Sequence, residues 1–166
     1  MKLKNYFKNL NKNFRNISFK GFEFNSQKIK KNYVFFAIQG NKFDGNNFIN
    51  DAIKKGAHVI ISNKFKTGIY KGTYYINVID PRLVLSNFAN KYYNNKPNNI
   101  IAVTGTNGKS SIVNFYYQIL KLNKKKVASI GTLGVKSNSI ISKLENTTVD
   151  AITINKLLSS LKNKKI

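Results

Sequence analysis

The stretch "IIAVTGTNGKSSIVNFYYQILKL", residues 100–122, sets an apolar run, a glycine-rich turn and an amphipathic segment end to end. Residues 100–104 read as a buried strand, because four apolar residues precede a turn signal. Gly105 and Gly108 permit backbone angles and close approaches that a Cβ would forbid. Successive N–H groups in such a turn, together with the positive end of a following helix, suit phosphate oxygens. Lys109 adds a mobile cation for terminal phosphates, and Ser110 a hydroxyl suited to Mg²⁺. Helical spacing continues over about 109–122, with Ile112, Val113, Phe115, Tyr116, Ile119 and Leu120 as the expected buried stripe. The full phosphate-loop pattern G-x-x-x-x-G-K-[ST] is not met, since Val103 stands where its first glycine would be. On the residues alone two readings stand, a phosphate loop or a plain strand-to-helix turn; the flanking strand and helix favour the first.

Downstream, 127–131 reads as a strand and about 149–162 as a helix, so the order strand, loop, helix, strand predicts a βαβ unit on a parallel sheet. That sheet is unfinished on two or three strands, and its uncovered edges and apolar faces predict low stability. Upstream, "YVFFAI" (33–38), "HVIIS" (58–62) and "TYYINVI" (73–79) are β-branched and aromatic runs expected as strands. "NNFINDAIKKG" (46–56) sets Phe48, Ile49, Ala52 and Ile53 on one helical face, with Gly56 to end it. "DPRLVLSNFANKYY" (80–93) opens with Asp80 as N-cap and Pro81 at the first helical position, then carries Val84, Leu85, Phe88, Ala89 and Tyr92 at helical spacing. "NNKPNN" (94–99) is the boundary signal, predicting two small α/β domains at 1–96 and 97–166.

Composition bounds the function. The chain has 166 residues, 42% hydrophobic and 13% aromatic, which is enough to build a packed core. Without cysteine there are no disulfides and no thiolate metal sites. No apolar run approaches the roughly 18 residues of a membrane span. The basic start "MKLKNYFKNLNKNFRN" lacks the apolar core of a signal peptide, so a cytoplasmic protein without membrane insertion is expected. The formal charge of +23 suits nucleic acid or an anionic membrane surface. It better suits A+T-rich codon usage, which enriches lysine, asparagine and isoleucine together. The lysines are scattered and no basic block stands out, so nucleic acid is not the expected partner. The six acidic residues, Glu23, Asp44, Asp51, Asp80, Glu145 and Asp150, form no metal-site spacing. Asp80 reads as a cap and Asp44 as a turn residue, while His58, the one histidine, reads as a packed or edge residue.

"VTGTNGKSS" (103–111), followed by "SIGTLG" (129–134), resembles the Mur ligases. "VFFAIQGNKFDGNNFINDAIKKGAHVII" (34–61) is similar to their uridine-nucleotide domain, and "ENTTVDAITINKLL" (145–158) to their muramoyl-binding segment. Within the family the chain looks most like the members that add the third amino acid of the peptidoglycan stem peptide.

The resemblance implies an α/β fold: a small N-terminal domain that binds the UDP-muramoyl substrate, then the first part of a P-loop-type, parallel-sheet ATP domain. It implies ATP at Gly105, Thr106, Asn107, Gly108, Lys109, Ser110 and Ser111, with Mg²⁺ held through Ser110. Phe24, Ser26, Asn41, Lys42 and Phe43 would lie against the uridine nucleotide, and Asn146, Thr147 and Thr148 against the muramoyl-peptide end. On the residues alone, 40–45 reads as a surface turn and 146–148 as a helix N-cap. Where family members carry Asp-Ser-Arg, this chain has Asn25-Ser26-Gln27, and Val149 stands where proline is common.

The implied reaction is ATP-dependent amide formation through an acyl phosphate, with UDP-N-acetylmuramoyl dipeptide as the carboxylate substrate and meso-diaminopimelate as the expected amino acid. The family's catalytic glutamate, histidine and carbamylated lysine, and its third domain, would lie beyond Ile166. The chain is therefore expected to be truncated and inactive alone, lacking its C-terminal half. The alternatives are a non-catalytic nucleotide-binding fragment, half of a split enzyme, or a basic nucleic-acid-binding protein.

Overall fold

A computed structural model describes residues 1–7, 10–41, 43–132, 134–137, 141–142 and 149–166. The chain divides into two compact units, Met1–Lys91 and Tyr92–Ile166. Among the described residues no helix is long and apolar enough to cross a membrane.

The first unit is built on a five-stranded sheet of β1 (Gly21–Glu23), β2 (Tyr33–Phe36), β3 (Ala57–Ser62), β4 (Gly68–Tyr70) and β5 (Thr73–Asn77), in the order β1-β2-β3-β5-β4. Neighbouring pairs are parallel except the edge hairpin of β4 and β5. The α/β class expected from the sequence is thus realised with a mostly parallel sheet. Both faces are covered, as a parallel sheet requires. On one face α2 (Ile49–Lys54) lays Ile49 and Ala52 against Phe35, Ile60 and Tyr75. On the other, Phe36 and Phe22 pack on Phe88 of α3 (Pro81–Tyr92), with ring centroids at 5.4 and 4.9 Å. Phe35 and Phe36 are both fully buried yet belong to opposite faces, the two-residue pleat written directly in "FF".

The basic N-terminus belongs to this core. Leu3, Phe14, Ile17 and Phe19 are buried, and Tyr6 stacks on Phe88 at 4.1 Å. A short α1 (Lys12–Arg15) puts Phe14 edge-on to Tyr74. The predicted strands at 33–38, 58–62 and 73–79 appear slightly shortened or shifted, whereas β1 and β4 escaped the sequence reading. The predicted helix at 46–56 is a 3₁₀ turn, Gly45–Phe48, followed by α2, and Phe48 stays 40% exposed rather than joining the buried face. Gly56 takes φ +104° and returns its N–H to the Ile53 carbonyl, ending the helix as expected. Asp80 caps α3 through the Arg82 and Leu83 amides at 2.8 and 3.0 Å. His58 is half-buried, edge-on to Tyr74 at 4.9 Å.

In the second unit α4 (Lys109–Leu122) has the predicted bounds, and α5 (Ala151–Asn163) begins after Asp150, whose carboxylate caps the Ile152 and Thr153 amides. The boundary segment is tied into this unit: Asn95 bonds Asn163 at 2.6 Å, Lys96 bonds Asn155 at 2.5 Å, and Lys162 bonds Asn98 at 2.7 Å.

Three expectations for this unit are corrected. Residues 100–104 form no strand, and Ile100 and Ile101 are 54% and 63% exposed. The sheet is β6 (Ala128–Gly131), β7 (Gly134–Ser137) and β8 (Ile141–Ser142), with both pairings antiparallel, so among the described residues of this unit no βαβ unit closes. Ile112, Phe115, Tyr116 and Ile119 are exposed, while Tyr117 is the residue of α4 that is buried. The reason is common to all three. A parallel strand needs partners for its backbone and a covered face for its side chains; among the described residues of this unit neither exists. The helix forms on local signals, but among the described residues its stripe is only partly covered: Val113 and Leu120 are half-buried, and Ile112, Phe115, Tyr116 and Ile119 stay exposed.

Candidate functional site

In the second unit the chain turns from Thr104 into α4 through two glycines in the left-handed region, Gly105 at φ +143° and Gly108 at φ +74°. A Cβ at either would meet open space or ordinary contact, so backbone angle and not crowding demands glycine here. Gly108 is the N-cap of α4 and has no side chain to satisfy the first amides, which leaves the helix's first turn uncapped. The first intrahelical bond runs from the Ile112 N–H to the Gly108 carbonyl at 3.0 Å. Lys109 folds back, and its Nζ donates to the Gly105 and Thr106 carbonyls. Those are weak neutral acceptors that an anion in the turn would outcompete.

Thr106, Asn107, Ser110 and Ser111 are all exposed around the same turn. The Ser110 hydroxyl lies 3.3 Å from that of Thr132, at the turn between β6 and β7 where Gly131 pairs with Gly134. Thr132, within "SIGTLG", joins this group through that contact and was not among the residues expected there. The donor set fits a nucleotide with a hard cation: amides and a lysine for phosphate, and hydroxyls for Mg²⁺ beside phosphate oxygens. Among the described residues no cluster of histidine and carboxylates could hold a metal by itself.

In the first unit the described members of the predicted uridine-side set lie beyond the carboxyl ends of two neighbouring strands. Phe24 and Ser26 follow the carboxyl end of β1, and Asn41 and Phe43 follow that of its parallel neighbour β2. Ligands of open α/β sheets bind outside the carboxyl ends of the strands. Ser26 is buried, in a 3₁₀ turn capped by the Asn25 side chain on the Gln27 amide at 2.9 Å. The Ser26 hydroxyl, and then the Lys55 ammonium, hold the Asp51 carboxyl below the usual carboxylate range. Lys55 also donates to Gln27 Oε1 at 2.6 Å, so the amide at position 27 is held by a lysine from beyond α2.

Phe24 is 36% and Phe43 72% exposed, while Asn41 is exposed on the turn closed by the Gly40 N–H to the Phe43 carbonyl at 2.9 Å. Lys42, Asn146, Thr147 and Thr148 lie outside the described residues. The N-cap of α5 is Asp150, not a residue of 146–148. A cavity of about 320 Å³ lined by Lys4, Lys12, Arg15 and Asn16 contains none of the predicted site residues.

Both units match one family. The model described as Mur ligase family, catalytic domain, matches residues 18–93, and that of the Mur ligase middle domain matches 103–166. The chain is 44% identical over 158 residues to the UDP-N-acetylmuramoyl-L-alanyl-D-glutamate--2,6-diaminopimelate ligase of Rickettsia prowazekii, covering 92% of this chain and 32% of that protein. Against the second such ligase of Clostridium acetobutylicum the identity is 34% over 174 residues, covering 99% and 36%. A solved structure of a ligase of the same name shares the fold, with a TM-score of 0.69 at 24% identity over 88% of this chain and 30% of that one. The chain spans about a third of the length of the curated relatives it matches.

Proposed function

The chain belongs to the Mur ligase family, and from that premise we propose that it is the N-terminal portion of an ATP-dependent ligase joining 2,6-diaminopimelate to UDP-N-acetylmuramoyl-L-alanyl-D-glutamate in peptidoglycan synthesis. The observation that carries the reading is the 44% identity to the Rickettsia prowazekii ligase, which runs along 92% of the chain and so through both units. In this reading residues 1–96 bind the UDP-muramoyl substrate and 97–166 open the ATP-binding domain, in the cytoplasm.

The roles follow from the residue types. The amides from Gly105 to Ser111 and the uncapped start of α4 would receive the phosphates of ATP. Lys109 would exchange its two carbonyl partners for phosphate oxygens. The Ser110 hydroxyl, with Thr132 beside it, would hold Mg²⁺ against those phosphates. Phe24, Ser26, Asn41, Lys42 and Phe43 would enclose the uridine nucleotide without adding negative charge, and Asn146, Thr147 and Thr148 would hold the muramoyl peptide. ATP would supply the phosphoryl group that activates the substrate carboxylate as an acyl phosphate, with ADP leaving. The amine of the amino acid would then attack the acyl carbon and displace inorganic phosphate, forming the amide.

Calorimetric titration of the 166-residue chain tests this, with UDP-N-acetylmuramoyl-L-alanyl-D-glutamate and MgATP measured separately. Both are expected to bind. Lys109→Ala should weaken ATP by about tenfold or more, as loss of a charged hydrogen-bonding group does, and leave the uridine ligand unaffected. A chain that binds neither ligand overturns the proposal.

The exposed apolar stripe of α4 favours a second reading, in which the chain is one half of a split enzyme. Mixing it with the remaining segment of the Rickettsia prowazekii relative decides between them. Phosphate release on mixing supports the split half; binding without release supports a non-catalytic nucleotide-binding module.

A further inference from the structure

The turn that carries Asn41 and Phe43 leaves β2 and returns at Asp44, where it meets a closed ring of hydrogen bonds. Lys64 Nζ donates to Asp44 Oδ2 at 2.6 Å. Asp44 Oδ1 accepts from the Asn46 side-chain amide at 2.7 Å and from its backbone N–H at 2.9 Å. Asn46 Oδ1 accepts from the Ser62 hydroxyl at 2.6 Å, and the Ser62 oxygen accepts from the Lys64 N–H at 3.0 Å. Ser62, at the carboxyl end of β3, is 1% exposed, so the ring is anchored in the sheet and reaches outward to the turn.

Further ties fix the same segment. Gln39 bridges Asp44, Arg82 Nη2 donates to the Gln39 carbonyl at 3.3 Å, and the Gly45 N–H donates to the Ile38 carbonyl at 2.9 Å. A Cβ on Gly45 would stand 2.6 Å from the Ile38 backbone, so the returning chain lies directly on the strand exit.

A partly exposed ion pair contributes little to stability by itself, because solvent screens it and ordering the lysine costs entropy. Here its geometric effect is larger than its energetic one. The ring fixes both side-chain oxygens of Asp44, and it spends the charge of Lys64 on neutralising a carboxylate that would otherwise face an anionic ligand at this edge. We propose that Asn46, Ser62 and Lys64 are positioning residues that hold Asn41 and Phe43, joined through the Gly40 N–H to Phe43 carbonyl bond, where they receive the uridine nucleotide. The inference rests on the uridine-binding reading of the first unit.

The test uses the full chain, with three readouts for each variant: affinity for UDP-N-acetylmuramoyl-L-alanyl-D-glutamate, affinity for MgATP, and hydrogen exchange at the Gly40 and Gly45 amides. Lys64→Ala and Asn46→Ala should weaken the uridine ligand by about fivefold or more, the scale on which loss of a supporting contact misplaces a binding group. Exchange at both amides should quicken, MgATP affinity should hold, and Lys64→Arg should restore the wild-type values. Uridine affinity unchanged despite faster exchange overturns the positioning role. Parallel loss of both affinities also overturns it, because it marks general destabilisation. Failure of the underlying reading shows earlier and separately, as absence of uridine-ligand binding by the unaltered chain.

Discussion

Asp44, Asp80 and Asp150 each spend a carboxylate oxygen on the free amides of a helical start, and Glu23 accepts from the Phe24 amide at 3.0 Å. In a chain with six acidic residues that is most of the negative charge, turned inward to the backbone and not toward chemistry. Asp44 goes furthest. Lys64, and then the two donors of Asn46, pull its pKa down to about 2. A carboxyl depressed in the folded state stabilises the fold above its unfolded pKa and loses that contribution as pH falls through the folded value. The Asp44 contribution is therefore complete above about pH 4 and disappears toward pH 2. Carbon-detected NMR titration should place its midpoint near 2, and Lys64→Ala should move it up toward the ordinary 3.8; a midpoint already near 3.8 in the wild type would remove the ring's charge pairing. The Asp80 cap was legible because cap and proline are adjacent in sequence. The bond from Ser62 to Asn46 was not, because it joins residues 16 apart through the sheet.

Among the elements, α3 decides whether the first unit has a core. Phe88 is 2% exposed and meets the rings of Tyr6, Phe7, Phe19, Phe22 and Phe36. Phe88→Ala empties the centre of that cluster and should cost about 3–5 kcal/mol, read as a lower denaturant midpoint with an unchanged slope. A loss under about 1 kcal/mol would mean that the N-terminal rings collapse into the space. Periodicity gave α3 correctly because Leu85, Phe88 and Ala89 find the sheet they are spaced for. The same reasoning placed α4 correctly along the chain and wrongly in its burial. Helical spacing specifies which side chains share a face, and only a neighbouring surface turns that face into a core. β1 and β4, three residues each, carry too little pattern to read alone and exist through their partners.

Across the whole molecule, 29 lysine and arginine residues face six acids, and the described residues hold two ion pairs, Lys55–Asp51 and Lys64–Asp44. Most of the positive charge is thus solvated. The chain should be retained on heparin and on any duplex alike, and be released as salt is raised. Retention that depends on nucleic-acid sequence and resists salt would instead support the nucleic-acid reading. The sequence by itself determined the α/β class, the bounds of α4, the cap at Asp80 and the two glycines of the turn before α4. Each is written within a few residues, where propensity, capping and backbone angle act. Tertiary structure alone decided that Thr132 meets Ser110, that Ser62 bonds Asn46, and that Ile112, Phe115, Tyr116 and Ile119 of α4 stay exposed. Those outcomes depend on which distant segments are present to pair and to cover, and local patterning carries no record of that.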